Sequence, residues 1–185
     1  MLLQASQIRS GSYNARMIKA LPLAVLSLFL LAAPAHADEA KKIGTYGDWT
    51  AYTFQENGAK ACYMAATPRE LKGNYTKRGN VYAMITHRPA EKSRDVFSFL
   101  AGYAYKTGAK VTLSVDGQPF MLVGNNETAW TPSADTDAKL VAALRKGSKF
   151  TVEGSSERGT ATKDTFSLKG SGSAYDVISK ECKVN

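Results

Sequence analysis

Asn57-Gly58 sits inside QENGAK, between two runs of aromatic and small apolar residues that together fill residues 44–67. Asn and Gly adopt positive φ at little cost, so the pair reverses the chain tightly and the stretch predicts a β-hairpin. The same pattern recurs downstream. Val81, Ala83 and Ile85 alternate with Tyr82, Met84 and Thr86, and Phe97, Phe99, Ala101 and Tyr103 share one face of a run over 96–105. Val111, Leu113 and Val115 lead into Asp116-Gly117, a second type I′ hairpin pair. Pro119 suits the start of a strand that Phe120 continues to Val123, and strands are predicted again over 150–154 and 160–168, parted by Glu157-Arg158-Gly159. Short period-two runs with a turn roughly every 10 residues predict an all-β chain, a mainly antiparallel two-layer β-sandwich.

Two helices interrupt the strands. Residues 133–146 place Leu140, Val141 and Leu144 at helical spacing. Asp135 and Asp137 lie near the start of that helix, with Arg145 and Lys146 near its end, which suits the helix dipole. Gly147 is expected as the C′ residue. The tail from Ser173 predicts a short C-terminal helix, with Tyr175, Ile178 and Cys182 on one face. Residues 38–43 read as a loose lead-in and residues 68–80 as a long loop with four basic residues. Both faces of the first hairpin carry aromatics, Trp49 on one and Tyr52 and Phe54 on the other, so its buried face stays open.

The first 37 residues carry a targeting pattern. Met17-Ile18-Lys19 is a short basic start, residues 20–33 are apolar, and Ala35-x-Ala37 fits a signal-peptidase site with cleavage before Asp38. Met17 is a second candidate start. The apolar run falls short of the ~20 residues a membrane-spanning helix needs. An uncleaved N-terminal anchor is the alternative reading. Cleavage leaves 148 residues, the single domain expected over 38–185, with no later stretch able to span a bilayer as a helix. Removing Arg9, Arg16 and Lys19 leaves 21 bases against 16 acids, a net of +5. That balance does not announce a nucleic-acid partner. Export also bears on Cys62 and Cys182, the two cysteines of the chain, which read most simply as one disulfide. Two free thiols are the alternative.

With elements and cysteines placed, the sequence resembles the invasion-associated locus B family of exported proteobacterial proteins. The residues that carry the resemblance are Tyr46-Gly47-Asp48-Trp49, Cys62, the run Val115-Asp116-Gly117-Gln118-Pro119-Phe120, residues 140–147, and Phe166-Ser167-Leu168-Lys169-Gly170 with Ala174. The resemblance spans essentially the whole mature chain. It implies a β-sandwich-like periplasmic protein, in some members surface-associated, in a family named for host-cell invasion and assigned no reaction or ligand. Members with extra cysteines before the helix differ from this chain, which reads Val123-Gly124-Asn125-Asn126 there.

Known catalytic patterns are missing from the sequence. Beyond the targeting segment there is one histidine, His87, in no nucleophile motif, and it reads as a strand-end surface residue. One histidine and two cysteines that pair cannot supply a zinc site, and no cofactor is implied. Asp135 and Asp137 are the nearest carboxylate pair, better explained by the helix start than by glycoside hydrolysis. Positive charge is concentrated over residues 67–95, where seven bases face three acids. Tyr75 beside Lys77 and Arg78 could stack on a sugar while the bases hold an anion, which makes Arg69, Lys72, Tyr75, Lys77 and Arg78 candidate anion- or glycan-binding residues. The bland reading is two solvated loops at opposite ends of the strand over 81–86, ~20 Å apart. At that distance, beyond the ~8 Å Debye length, they would not act together on one small ligand.

The expected function is a non-enzymatic binding or host-interaction module of the periplasm and envelope, with an envelope component or protein as partner. The alternative is a cell-wall glycan enzyme with dispersed carboxylates. N-terminal sequencing of the exported protein is expected to begin at Asp38. Protein that stays with membranes through a high-salt wash and keeps residues 20–33 would show an anchor instead.

Overall fold

The computed structural model describes residues 39–184, so the targeting pattern at 1–37 lies outside it. The elements run β1 (Lys41–Tyr46), β2 (Trp49–Glu56), β3 (Ala59–Ala66), β4 (Glu70–Gly73), β5 (Tyr82–Arg88), a 3-10 turn (Pro89–Glu91), β6 (Ser93–Val115), β7 (Gln118–Trp130), α1 (Ala134–Lys146), β8 (Lys149–Ser155), β9 (Ala161–Ser167) and α2 (Ser171–Cys182). All strand pairings are antiparallel and form one sheet in the order β1-β2-β3-β5-β6-β8-β9-β4, with β7 also paired to β6. No helix among the described residues is long and apolar enough to cross a membrane.

The 23-residue β6 makes two layers out of one sheet. Its first half pairs with β5 and its second half with β8, both on the edge opposite β7. Register shifts between Leu100 and Tyr105, and between Tyr105 and Ala109, bend the strand where these partners change. Gly102 sits in the bend at φ +71, and a side chain there would strike the Gly79 and Asn80 backbone. Aromatic rings from the two branches then meet across the core. Trp49 of β2 lies 6.4 Å from Phe150 of β8, and Phe99 of β6 lies 6.1 Å from Phe166 of β9. Phe150 and Phe166 stack at 4.6 Å. Such ring pairs each contribute roughly 0.5–1.5 kcal/mol beyond their burial.

The expected all-β, two-layer arrangement with one inserted helix and one C-terminal helix is present. Asn57 and Gly58 take φ values of 53° and 76°, and Asp116 and Gly117 take 46° and 97°, the left-handed pairs that both hairpin turns require. Trp49 and Ala51 face the core, whereas Tyr52 turns outward and stacks on Tyr63 at 4.8 Å.

Four local expectations are corrected. The lead-in forms β1 from Lys41, and the supposed loop over 68–80 contains β4, an edge strand along β9. Charge made both segments look like loops, yet charged side chains are what an edge strand tolerates. Gly147 has φ −76° and ψ 175°, so it ends α1 without a left-handed turn. It is needed for space, because a side chain there would crowd Val115, Asp116 and Leu168. Finally, His87 is fully buried.

The helices close the fold at its open backbone groups. Ser133 caps α1 by accepting from the Thr136 N–H. Buried Asp137 accepts from the Phe97 N–H at 2.9 Å, next to the point where β7 ends opposite Ser98. Burial pushes the Asp137 carboxyl above the usual carboxylate range, opposed by that hydrogen bond. α2 buries Ala174, Ile178 and Cys182, and Cys182 bridges to Cys62 of β3 with Cα atoms 6.0 Å apart. The bridge spans 120 positions, a closure that chain entropy values at about 4–5 kcal/mol.

His87 fixes α2 as well. Its Nδ1 accepts from the Asp95 N–H at 3.1 Å, which leaves Nε2 to donate to Ser179 Oγ at 3.2 Å. Its ring meets Tyr175 edge-on at 5.4 Å, and Tyr175 donates to Asp95 Oδ1 at 2.6 Å. Burial holds the His87 imidazole below its ordinary pKa, against the pull of nearby Asp95. The unfolded chain therefore takes up a proton near pH ~6.5 that the folded chain resists, and stability falls as pH drops through that value. Urea titrations at neutral pH and near pH 5 should show the loss, and it should shrink in His87→Gln. An equal loss in both proteins would contradict this role.

Candidate functional site

Arg78 follows Tyr75 and Lys77 in the stretch between β4 and β5, yet its side chain is only 3% exposed. Nη1 and Nη2 donate to the two oxygens of Asp164 on β9 at 2.7 and 2.6 Å, and Nε donates to the Ala101 carbonyl on β6 at 2.7 Å. Arginine suits this position because its planar fork matches a carboxylate and keeps its charge when buried. Burial pushes the Asp164 carboxyl upward and the guanidinium pulls it back. The Arg78 guanidinium lies 5.4 Å from the Tyr75 ring centre and 5.0 Å from that of Tyr103. Tyr103 shares a 2.8 Å hydrogen bond with Thr162, and Gly79 N–H donates to the Gly102 carbonyl at 2.8 Å. The segment is thereby tied to both branches of the sheet.

Above this buried pair lies a cleft of about 420 Å³. Residues 74–78 form one side, Tyr103 and Ala104 of β6 contribute next to them, and Ser156, Glu157, Arg158 and Thr160 of the β8–β9 turn, with Thr162 of β9, complete the lining. That turn is anchored by Glu157 N–H donating to the Ala104 carbonyl at 2.7 Å. Asn74, Thr76, Ser156 and Thr160 supply polar side chains to the walls, and half-buried Tyr75 supplies a ring. Lys77 and Arg158 are exposed, and neither forms an ion pair among the described residues. Beside Tyr103 lies the buried Tyr105, whose hydroxyl is pushed above the usual tyrosine range by burial first and by the neighbouring Tyr103 next.

The five residues singled out in the sequence divide here. Tyr75, Lys77 and Arg78 line one cleft, whereas Arg69 and Lys72 lie outside its lining. Arg69 is paired with Asp48, and Lys72 with Glu70 at 2.9 Å. Arg88, at the end of β5, pairs with Glu56 at 2.6 Å. Arg158 and Glu157 escaped sequence reasoning because nothing local announces that β4 runs beside β9. Asp135 and Asp137 form no catalytic pair, since Asp137 is buried on the Phe97 N–H and Asp135 is exposed in the first turn of α1.

Comparison with known proteins bears on the fold and the family. No curated protein matches the chain. The crystal structure of invasion associated protein B from Bartonella henselae is similar, with a TM-score of 0.51 and 17% sequence identity, over 76% of this chain and 96% of that one. At that identity the likeness shows a shared fold. The sequence model described as invasion associated locus B protein matches residues 49–179, which takes in β2 through most of α2. The chain therefore belongs to the invasion-associated locus B family.

Proposed function

We propose that this protein is exported to the periplasm, by cleavage after Ala37, and there binds an anionic glycan or similar envelope component without transforming it. The observation that carries this reading is the pairing of two uncommitted cations, Lys77 and Arg158, with the Tyr75 ring on one cleft. A sugar stacks its apolar face on an aromatic ring, and hydroxyl and amide side chains at the walls hydrogen-bond its edges. Lys77 and Arg158 add attraction for a carboxylate or phosphate. Arg78 acts beneath the cleft, positioning Tyr75, because Asp164 and Ala101 already occupy its guanidinium.

The binding reading is favoured over glycan hydrolysis by the lining itself. Hydrolysis uses two carboxylates about the scissile bond, and the cleft wall carries one, Glu157. A role at the host surface is in keeping with the names of the family and of the similar Bartonella protein.

The test is titration of the purified protein with lipopolysaccharide and polygalacturonate, with neutral dextran as control. The acidic polymers should bind in a salt-dependent way, and the Lys77→Ala/Arg158→Ala double variant should bind about tenfold more weakly or worse. Arg69→Ala/Lys72→Ala removes the same charge outside the cleft and should bind nearly as well as the parent. Equal weakening in both double variants would reduce the site to diffuse charge. Release of new reducing ends would establish the enzyme instead.

A further inference from the structure

β7 has only one neighbour among the described strands, β6, so its far edge is unpaired. Its direction follows from the hairpin. Val115 and Gln118 flank the two-residue turn Asp116-Gly117 and form the hydrogen-bonded closing pair of such a hairpin. Counting in twos, Phe120, Leu122 and Gly124 point their peptide groups at β6, and Met121 and Val123 point theirs outward. Pro119, which has no N–H, falls at an outward position, as expected at an edge.

The side chains on this edge are unusual for one left in water. Met121, Val123 and Trp130 are 46%, 44% and 40% exposed, three of the four large exposed apolar residues described. Residues 118–126 contain no charge; Asp116 and Glu127 flank the run, and Lys110 lies one strand inward opposite Val123. The other two edges are protected as edges normally are. β1 carries Lys41 and Lys42 and a bulge, while β4 is four residues long and carries Glu70 and Lys72.

We infer that β7 is a self-association edge, on which a second copy of this chain adds its own β7 antiparallel. A two-fold contact sets each residue near the axis against its own kind, so a charge there would repel its copy. The uncharged run around Leu122 meets that requirement. With the axis at Leu122, Met121 of each copy faces Val123 of the other, which pairs the outward peptide groups and covers both side chains. A charged peptide partner would find no complementary charge along residues 118–126. Because each copy offers one such edge, association stops at the dimer.

Sedimentation equilibrium of the purified protein across a concentration series tests this. The mass should rise with concentration to that of a dimer and no further. Val123→Lys places like charges beside the axis and should weaken association at least about tenfold. Leu71→Lys, at the comparably exposed apolar residue of β4, should leave it unchanged. Hydrogen exchange adds a readout on the unmodified chain, since the Met121 and Val123 amides should slow with rising concentration while those of β1 do not. A mass that stays monomeric, a dimer indifferent to Val123→Lys, or growth beyond the dimer would overturn the inference.

Discussion

One buried guanidinium holds together three parts of this protein that the chain keeps far apart. Arg78 comes from the crossing between β4 and β5, Ala101 from the bend of β6, and Asp164 from the middle of β9. Removing one member of a buried pair strands the other charge, a loss of about 3–5 kcal/mol. The total stability of a domain is only ~5–15 kcal/mol, so stranding either charge would remove a large share of it. On the proposed reading it also bears on binding: with both carboxylate oxygens engaged, Arg78 lies against Tyr75, and Lys77 and Arg158 stay without ion-pair partners among the described residues.

The other large constraints act elsewhere in the fold. Cys62–Cys182 and the hydrogen bonds of His87 lock α2 onto the first branch of the sheet, where the helix supplies Ile178 and Ala174 to the core. Asp137 closes the ladder of β6 just past the end of β7. Each of these is a polar or covalent tie where strand pairing ends, and none uses residues that line the cleft. These ties are thus separate from the cleft lining, apart from Arg78, which both holds the fold and lines the cleft.

Much of the architecture was legible in the sequence, because hairpins are encoded locally. Asn57-Gly58 and Asp116-Gly117 announce their turns through residues that accept positive φ, and α1 shows its apolar stripe directly. What escaped was pairing between distant segments. β4 meets β9 across 89 to 95 positions, and that pairing brings Tyr75 opposite the turn that carries Arg158. Two further clues were readable in the strands themselves. His87 continues the inward series of Val81, Ala83 and Ile85, and Asp164 lies between Thr162 and Phe166 on the inward face of β9. A titratable residue at an inward position of a period-two strand demands a buried partner, so both positions pointed to polar contacts inside the fold.

The central claim is that the Arg78–Asp164 pair builds the cleft. Amide hydrogen exchange on Asp164→Asn tests it most directly, with the parent protein as reference. Protection should fall at Gly79 and Glu157, whose N–H groups donate to the Gly102 and Ala104 carbonyls, while the amides between β2 and β3 keep theirs. Unchanged protection at Gly79 and Glu157, or a uniform loss over the whole sheet, would contradict the account.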